Sequence, residues 1–345
     1  MRHLVVASIL LIAACTEPDR EPDPVLPVTP FVRPPPCEAQ DCNLNGSNMG
    51  AFQFHELHEG GLPNNAGLVL DGLWKLGVRY EPDVARDRLV GYRPGSLPLF
   101  GLQLKDSYLR LVDANGAEWR IYIEHVSNEL DPWQFPDDGA VQTYRLRYLA
   151  PGAAPSSKRG FCNQPPAATD VDGGNWAALD EAFFFTGDRY DRNTKRVTVP
   201  TTAAASGWFN MACVGSLIAK VHMLGYTSAA ARPAHDTSLA ERNDLFAMYT
   251  GNVCGDGYSH TLPRTPIRWV GSNGWHDYHD YNLAGEPSAF EAVWGNGRAK
   301  CLDTFRIAAN QPSILCGTGV PPPSCDDVFA DGEWTDDGTL MSAVP

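Results

Sequence analysis

Hydrophobic and polar positions alternate with a period of two along Glu118-Trp-Arg-Ile-Tyr-Ile-Glu-His125 and again along Val141-Gln-Thr-Tyr-Arg-Leu-Arg-Tyr148. That period sends successive side chains to opposite faces, so each stretch predicts a half-buried strand. Tyr108–Val112 precedes the first stretch and is joined to it through Asp113-Ala-Asn-Gly116. An Asn-Gly turn between two such arms is a hairpin signal. Gly67–Asp71 and Leu97–Leu104 are short apolar runs bounded by turn residues and also read as strands. From about Asn43 to Leu149 the pattern predicts an antiparallel sheet or sandwich.

Beyond that point helical signals enter. Phe209 to Leu224 is apolar at most positions and stops at Gly225, a good helix C-terminus, so it predicts one buried helix carrying Cys213. Ser238-Leu-Ala-Glu241 has capping-box spacing and predicts a helix running to about Tyr249. Thr265–Val270 and Ala289–Trp294 read as strands, the second turned by Gly295-Asn-Gly297 toward Cys301. The fold expected is α+β: a β-rich antiparallel N-terminal half and a disulfide-braced C-terminal half with about two helices and short strands.

The first residues change the picture of where such a fold resides. Met1-Arg2-His3 is followed by an apolar run from Leu4 to Ala14, interrupted only by Ser8. This is the form of an export signal and is too short to span a bilayer as a mature helix. Ile12-Ala13-Ala14-Cys15 matches a bacterial lipobox, in which the cysteine sulfur takes a diacylglycerol. Thr16, rather than an aspartate, follows the cysteine, which favours delivery to the outer membrane. Residues 15–36 are rich in proline and read as an extended tether. At about 3.1 Å per residue such a tether reaches on the order of 60 Å. The expected organisation is thus a signal peptide over 1–14, a tether over 15–36, a β-rich region over 37–150, a second region over 151–312 and a Cys/Pro-rich tail over 313–345.

With Cys15 acylated, eight cysteines remain: Cys37, Cys42, Cys162, Cys213, Cys254, Cys301, Cys316 and Cys325. An even set in an exported chain reads as a disulfide framework whose connectivity the sequence leaves open. Two arrangements are compatible with the tails: Cys37, Cys42, Cys316 and Cys325 stapling the two ends together, or each end closed locally. The net charge of −14 excludes nucleic acid as a partner, because phosphate binding needs a basic surface. It also argues against electrostatic docking on anionic lipid and for a membrane attachment that is covalent.

Three groups of residues carry candidate chemistry. In Cys254-Gly-Asp-Gly-Tyr-Ser-His-Thr261, Asp256 and His260 can form an acid–base pair, although turn chemistry accounts for every residue of the segment. Trp275-His276-Asp277-Tyr278-His279-Asp280-Tyr281 can bind a metal through its His and Asp residues, or stack its aromatic rings on a sugar polymer. Asp170 and Asp172, with Glu181 twelfth in the run, approach a calcium loop. Gly174 and Asn175 stand the wrong way round for that pattern, so a plain turn is the stronger reading. Ser216 and Lys220 are one residue too far apart for the Ser-x-x-Lys of penicillin-binding enzymes. No cofactor motif is present.

Phe209–Cys213 with Ile218-Ala-Lys220 and Gly225-Tyr226, the central Cys254–Thr261 with Thr265-Pro-Ile267, and Phe290–Trp294 with Ala299–Leu302 follow one another in fixed order. Together with Phe161-Cys162 and Gly187–Asp191 these blocks resemble the ADYC domain. The letters that name the family correspond here to Gly251-Asn-Val-Cys254, of which only the cysteine is kept. The family pattern often has a cysteine where this chain has Val221 and another near Leu245, before the central motif, and the loss of both implies a disulfide lost between two helices. The resemblance implies a bacterial exported lipoprotein, often of this construction, and no particular chemistry. The function expected is a surface-anchored binding or structural module. Its partners are the membrane, through the lipid, and a surface polymer or another envelope protein. The alternative is an exported hydrolase of cell-wall or extracellular polymer using Asp256 and His260.

Overall fold

The protein is seen in a computed structural model that describes residues 47–50, 52–130, 141–162, 180–191, 194–198, 207–214, 216–228, 237–261, 267–271, 274–277, 289–306, 314, 316–317, 319–328 and 340–344. Cys15, Cys37, Cys42, Asp170, Asp172 and the stretch 278–281 lie outside these residues, as do the leader and tether.

β1 (Asn48–Met49) and β2 (Phe52–Gln53) form a small ladder of their own. β3 (Glu56–His58), β4 (Val69–Lys75), β5 (Val78–Ala85), β6 (Arg88–Tyr92) and β7 (Leu99–Phe100) follow. Next come β8 (Tyr108–Val112), β9 (Glu118–Leu130), β10 (Val141–Leu149) and β11 (Arg159–Gly160). Past residue 180 the chain makes β12 (Glu181–Thr186), β13 (Arg189–Asp191), β14 (Arg196–Thr198) and β15 (Trp208–Cys213), then α1 (Leu217–Met223) and α2 (Leu239–Thr250). β16 (Arg268–Gly271), β17 (Gly274–Asp277), β18 (Ala289–Gly295), β19 (Arg298–Leu302), α3 (Cys325–Val328) and β20 (Leu340–Val344) complete the described elements.

An eleven-stranded antiparallel sheet runs in the order β3-β15-β12-β10-β9-β8-β4-β5-β6-β7, with β11 paired to β10. β12 and β15, from the second half of the sequence, are thus inserted between strands of the first, so the sheet crosses residue 150. A five-stranded antiparallel sheet has the order β17-β16-β20-β18-β19. The architecture is strand-rich, with three helices among the described residues, within the expected α+β class.

β12 shows how the two parts are joined. Ala182 and Phe184 point into a core with Leu73, Leu109, Ile121, Tyr144 and Phe209, while Phe183 and Phe185 point into a second core with the helices. The period-two alternation of a strand places one aromatic set on each side. β15 does the same: Phe209, Met211 and Cys213 face the first core and Ala212 the second. These two strands are a wall between cores. On the far side of the second core lies the five-stranded sheet, which contributes Trp269, Ala292, Trp294 and Leu340.

Several expectations meet the structure directly. The Asp113–Gly116 turn joins β8 to β9, with Asp113 Oδ1 accepting the N–H of Asn115 (2.9 Å) and Ala117 (3.0 Å). Those bonds, the Ala117 N–H first, hold the Asp113 carboxyl below its ordinary pKa. α2 has its capping box, with Ser238 and Glu241 bonded reciprocally, and ends at Gly251 in the left-handed region. Asn296-Gly297 turns β18 into β19.

Three expectations are corrected. The single helix expected over Phe209–Leu224 is a strand followed by a seven-residue helix, capped by Ser216, whose hydroxyl accepts the Ala219 N–H (3.2 Å). Trp208–Cys213 is buried on both faces, and such a run carries no periodicity to separate strand from helix. Leu97–Leu104 is mostly not a strand: only Leu99–Phe100 pair, and Gly101–Leu104 form a 3-10 turn. The C-terminal segment is not simply a tail, because β20 lies between β16 and β18 in the second sheet.

The expected disulfide framework is present among the described residues, and only the arrangement of the C-terminal cysteines is corrected. Cys162 bonds Cys213, Cys254 bonds Cys316 and Cys301 bonds Cys325. The C-terminal cysteines therefore staple into the domain, neither to each other nor to the N-terminal end. Val221 and Leu245 sit on α1 and α2, which pack together, and both are fully buried in the helix core.

Candidate functional site

The segment Gly251–Thr261 follows α2 and folds back on it. A Cβ at Gly251 would lie 3.1 Å from the His260 carbonyl carbon and 3.2 Å from the Thr261 nitrogen. Glycine here permits both the left-handed cap, at φ 60°, and the close return of the chain. His260 N–H donates to Gly251 O (3.0 Å), Asn252 Oδ1 accepts from Gly257 N–H (3.1 Å), and Asp256 Oδ1 accepts from Tyr258 N–H (2.9 Å). The last is an Asx turn. Cys254 is in a disulfide, which leaves its sulfur no nucleophilic role.

The His260 ring lies 4.7 Å from that of Tyr258. Burial pushes its pKa down, and the Asp256 charge opposes that effect without cancelling it. His260 is thus biased to the neutral form, in which one ring nitrogen can accept a proton. Asp256 is exposed and already fastens the turn.

The second sheet sets the distance from this turn to the aromatic–histidine cluster. Ala299 N–H donates to Val253 O (3.0 Å), so the turn docks at β19, one edge of the sheet. Trp275, His276 and Asp277 lie on β17, the other edge, where their backbone pairs with Val270, Trp269 and Arg268. Four strand spacings separate the edges, about 19 Å at about 4.8 Å each. The described end of the cluster is therefore not beside Asp256 and His260. Tyr278, His279, Asp280 and Tyr281 lie outside the described residues. Of the calcium candidates Glu181 alone is described. It is buried on β12, where the Thr143 hydroxyl donates to its carboxylate and Arg145 lies 3.9 Å away.

What the fold does bring together is a seam of buried polar pairs between the β12–β15 wall and its neighbours. Asp87, from the β5–β6 turn, has Oδ2 3.0 Å from His222 Nε2 on α1. A carboxylate only accepts, so the Nε2–H is the donor. The His222 ring is stacked on Phe185, centroids 4.0 Å apart. Arg242 of α2 binds the Asp188 carboxylate and the carbonyls of Thr227 and Thr237. The next residue, Arg189, turns the other way, holds the Glu56 carboxylate (Nε–Oε2 3.2 Å) and lies over the Trp208 ring, 3.7 Å from its centroid. Asn210 of β15 donates to Asp188 O (2.8 Å). Lys220 of α1 keeps part of its side chain exposed, yet burial of its ammonium pushes the pKa down to about 7. Sequence reasoning missed this seam, because its side-chain pairs Asp188–Arg242, Glu56–Arg189 and Asp87–His222 lie 54, 133 and 135 residues apart.

Residues 101–308 match the ADYC domain. This chain belongs to the ADYC domain family. No curated protein and no solved structure matches it. The ADYC match begins at Gly101, within the first half, and takes in the centre of the large sheet together with α1 and α2. The blocks that carried the resemblance fall on the wall and its supports. Phe209–Cys213 is β15 and Gly187–Asp191 contains Asp188 and Arg189. Cys254–Thr261 is the turn after α2, and Phe290–Trp294 with Ala299–Leu302 are the β18–β19 hairpin. Of these blocks β15 faces both cores, and two others carry the cysteines that bond Cys316 and Cys325.

Proposed function

We propose that this protein is a bacterial lipoprotein, anchored through Cys15 at the outer membrane or cell surface, whose ADYC domain acts as a binding or structural module. The observation that carries the reading is the pairing of Cys254 with Cys316, alongside two further bridges. Three bridges suit an oxidising, extracytoplasmic compartment, and the sulfur nearest the candidate His260 is consumed in one of them. The tether presents the domain away from the lipid. Its partner is a surface polymer, met through the 275–281 cluster, or another envelope protein; the charge of −14 disfavours nucleic acid.

Palmitate labelling of growing cells tests the anchor. The wild-type chain takes label and fractionates with membrane, whereas Cys15→Ser takes none. Equal labelling of the two, or a cytosolic protein with reduced cysteines, would refute the reading.

The second reading, a hydrolase of cell-wall or extracellular polymer, is favoured by the depressed pKa of His260. Turnover of peptidoglycan or surface polysaccharide that His260→Ala abolishes, with the fold intact, would move it to first place.

A further inference from the structure

Arg196 and Arg298 come from two different hairpins and meet at one turn. Asn243 of α2 clamps the first hairpin: its Oδ1 accepts the Val197 N–H (2.7 Å) and its Nδ2–H donates to Val197 O (3.2 Å), which fixes Arg196 on β14. Gly297 N–H donates to Asp244 Oδ1 (2.6 Å) and Ala299 N–H to Val253 O (3.0 Å), which fixes Arg298 between them at the start of β19. Both side chains reach the turn after α2 at Gly255. A Cβ there would lie 3.1 Å from Arg298 Cβ and 3.6 Å from Arg196 Nη2, and the same Nη2–H donates to Gly255 O (3.3 Å). Both arginines are exposed. Tyr258, three residues on from Gly255, is 51% exposed and has its ring beside that of His260.

Among the described residues neither guanidinium has a carboxylate within 4.0 Å. The acids of the surrounding loops are engaged with backbone. Asp191 Oδ1 accepts the Thr194 N–H (3.2 Å), Asp244 Oδ1 the Gly297 N–H, and Asp256 Oδ1 the Tyr258 N–H. Asp244 also feels the charge of Lys300, the other exposed cation of β19, and Lys195 beside Arg196 is buried. On the outer face of the large sheet, by contrast, Arg79, Arg110, Arg120 and Arg147 each have a carboxylate partner. Two cations held together by their backbones, with no acid on either, repel one another and attract a counter-ion.

We propose that this corner binds an anionic polysaccharide, the two guanidinium groups holding its carboxylate or phosphate and the Tyr258 ring lying against a sugar. A guanidinium fork matches either oxyanion, and the bonds are charge-assisted. The tyrosine offers an apolar face and a polar tip together. The unrelieved pair of cations selects a charged polymer over a neutral one. The net charge of −14 opposes an anion at long range, but in physiological salt that opposition is screened beyond about 8 Å. The proposal rests on the binding-module reading and gives that module its ligand class, while needing neither the acyl chain at Cys15 nor the 275–281 cluster.

The test uses the full chain with Cys15→Ser, exported behind a cleavable leader so that no lipid is attached. Isothermal titration is run with polygalacturonate, which carries carboxylates, with a phosphomannan, which carries phosphates, and with neutral dextran. The chain binds at least one of the charged polymers and not dextran, and the tighter of the two names the oxyanion. Arg196→Gln/Arg298→Gln weakens that binding roughly tenfold or more, with an unchanged urea midpoint. Tyr258→Ala weakens it by a smaller factor. Arg159→Gln, at an exposed arginine of β11 outside this corner, leaves it unaltered. Four outcomes would each overturn the proposal: binding to neither charged polymer, equal binding of dextran, equal affinity in the double arginine variant, or as large a loss in Arg159→Gln. None of them bears on palmitate labelling at Cys15, so the anchored-module reading stands or falls separately.

Discussion

Replacing Asp87 tests whether the β5–β6 turn is shaped to deliver a carboxylate to His222. Arg86 and Asp87 occupy the two central positions of a two-residue hairpin at φ 50° and 59°. Hairpins of this type favour Asn-Gly, and most side chains pay about 1–2 kcal/mol in the left-handed region, Asp and Asn less. The return is the bond to His222, both partners being buried. In Asp87→Ala the Nε2–H loses its acceptor at about 1–3 kcal/mol, and alanine adds left-handed strain, so the total expected is about 2–4 kcal/mol. Asp87→Gly removes the strain and should be about 1 kcal/mol less damaging than alanine. Asp87→Asn keeps an acceptor and tolerates the turn, at a cost under about 1.5 kcal/mol. His222→Phe preserves stacking on Phe185, so a double-mutant cycle with Asp87→Ala isolates the pair and should yield a coupling of about 1–3 kcal/mol. Urea denaturation of the oxidised protein, followed by tryptophan fluorescence, reads all of these. A coupling below about 0.5 kcal/mol, within ordinary additivity, would refute the reasoning.

Other measurements follow from the same geometry. The Cys254–Cys316 bridge joins positions 62 apart, and losing a loop of that size costs about 4 kcal/mol in the chain-entropy description, so Cys254→Ser/Cys316→Ser should lower the urea midpoint without altering the Cys162–Cys213 and Cys301–Cys325 bridges. Lys220 has a folded pKa of about 7 against an ordinary 10.5, so the unfolded chain binds more protons between those values. Stability should therefore rise with pH through that window, and Lys220→Met should remove this part of the rise in a pH series of urea midpoints. Ser238→Ala deletes the capping hydroxyl of α2 and should cost about 1 kcal/mol, with Ser238→Gly costing less.

What the sequence made legible was local. The Asp113–Gly116 and Asn296-Gly297 turns, the Ser238–Glu241 cap and the alternating β9 and β10 are each specified within a few residues. β15 was not, because a strand walled in on both faces and a buried helix present the same unbroken apolar run. β20, Leu-Met-Ser-Ala-Val, is too short to announce itself and is a strand because β16 and β18 flank it. The disulfide partners and the seam of Asp87–His222, Asp188–Arg242 and Glu56–Arg189 depend on tertiary proximity. Of the candidate site, the turn around Asp256 and His260 was readable as turn chemistry. Its distance from Trp275–Asp277 was not, because it is set by the strand order of the second sheet.

The central claim is an exported, lipid-anchored module whose cysteines brace the fold and do no chemistry. Non-reducing peptide mass spectrometry on the native protein, with free thiols alkylated beforehand, tests it most directly. The account predicts an acylated Cys15 and the linked peptides of Cys162 with Cys213, Cys254 with Cys316, and Cys301 with Cys325. An alkylated Cys254 beside an unmodified Cys15 would contradict it and make the Cys254 thiol the place to look for catalysis.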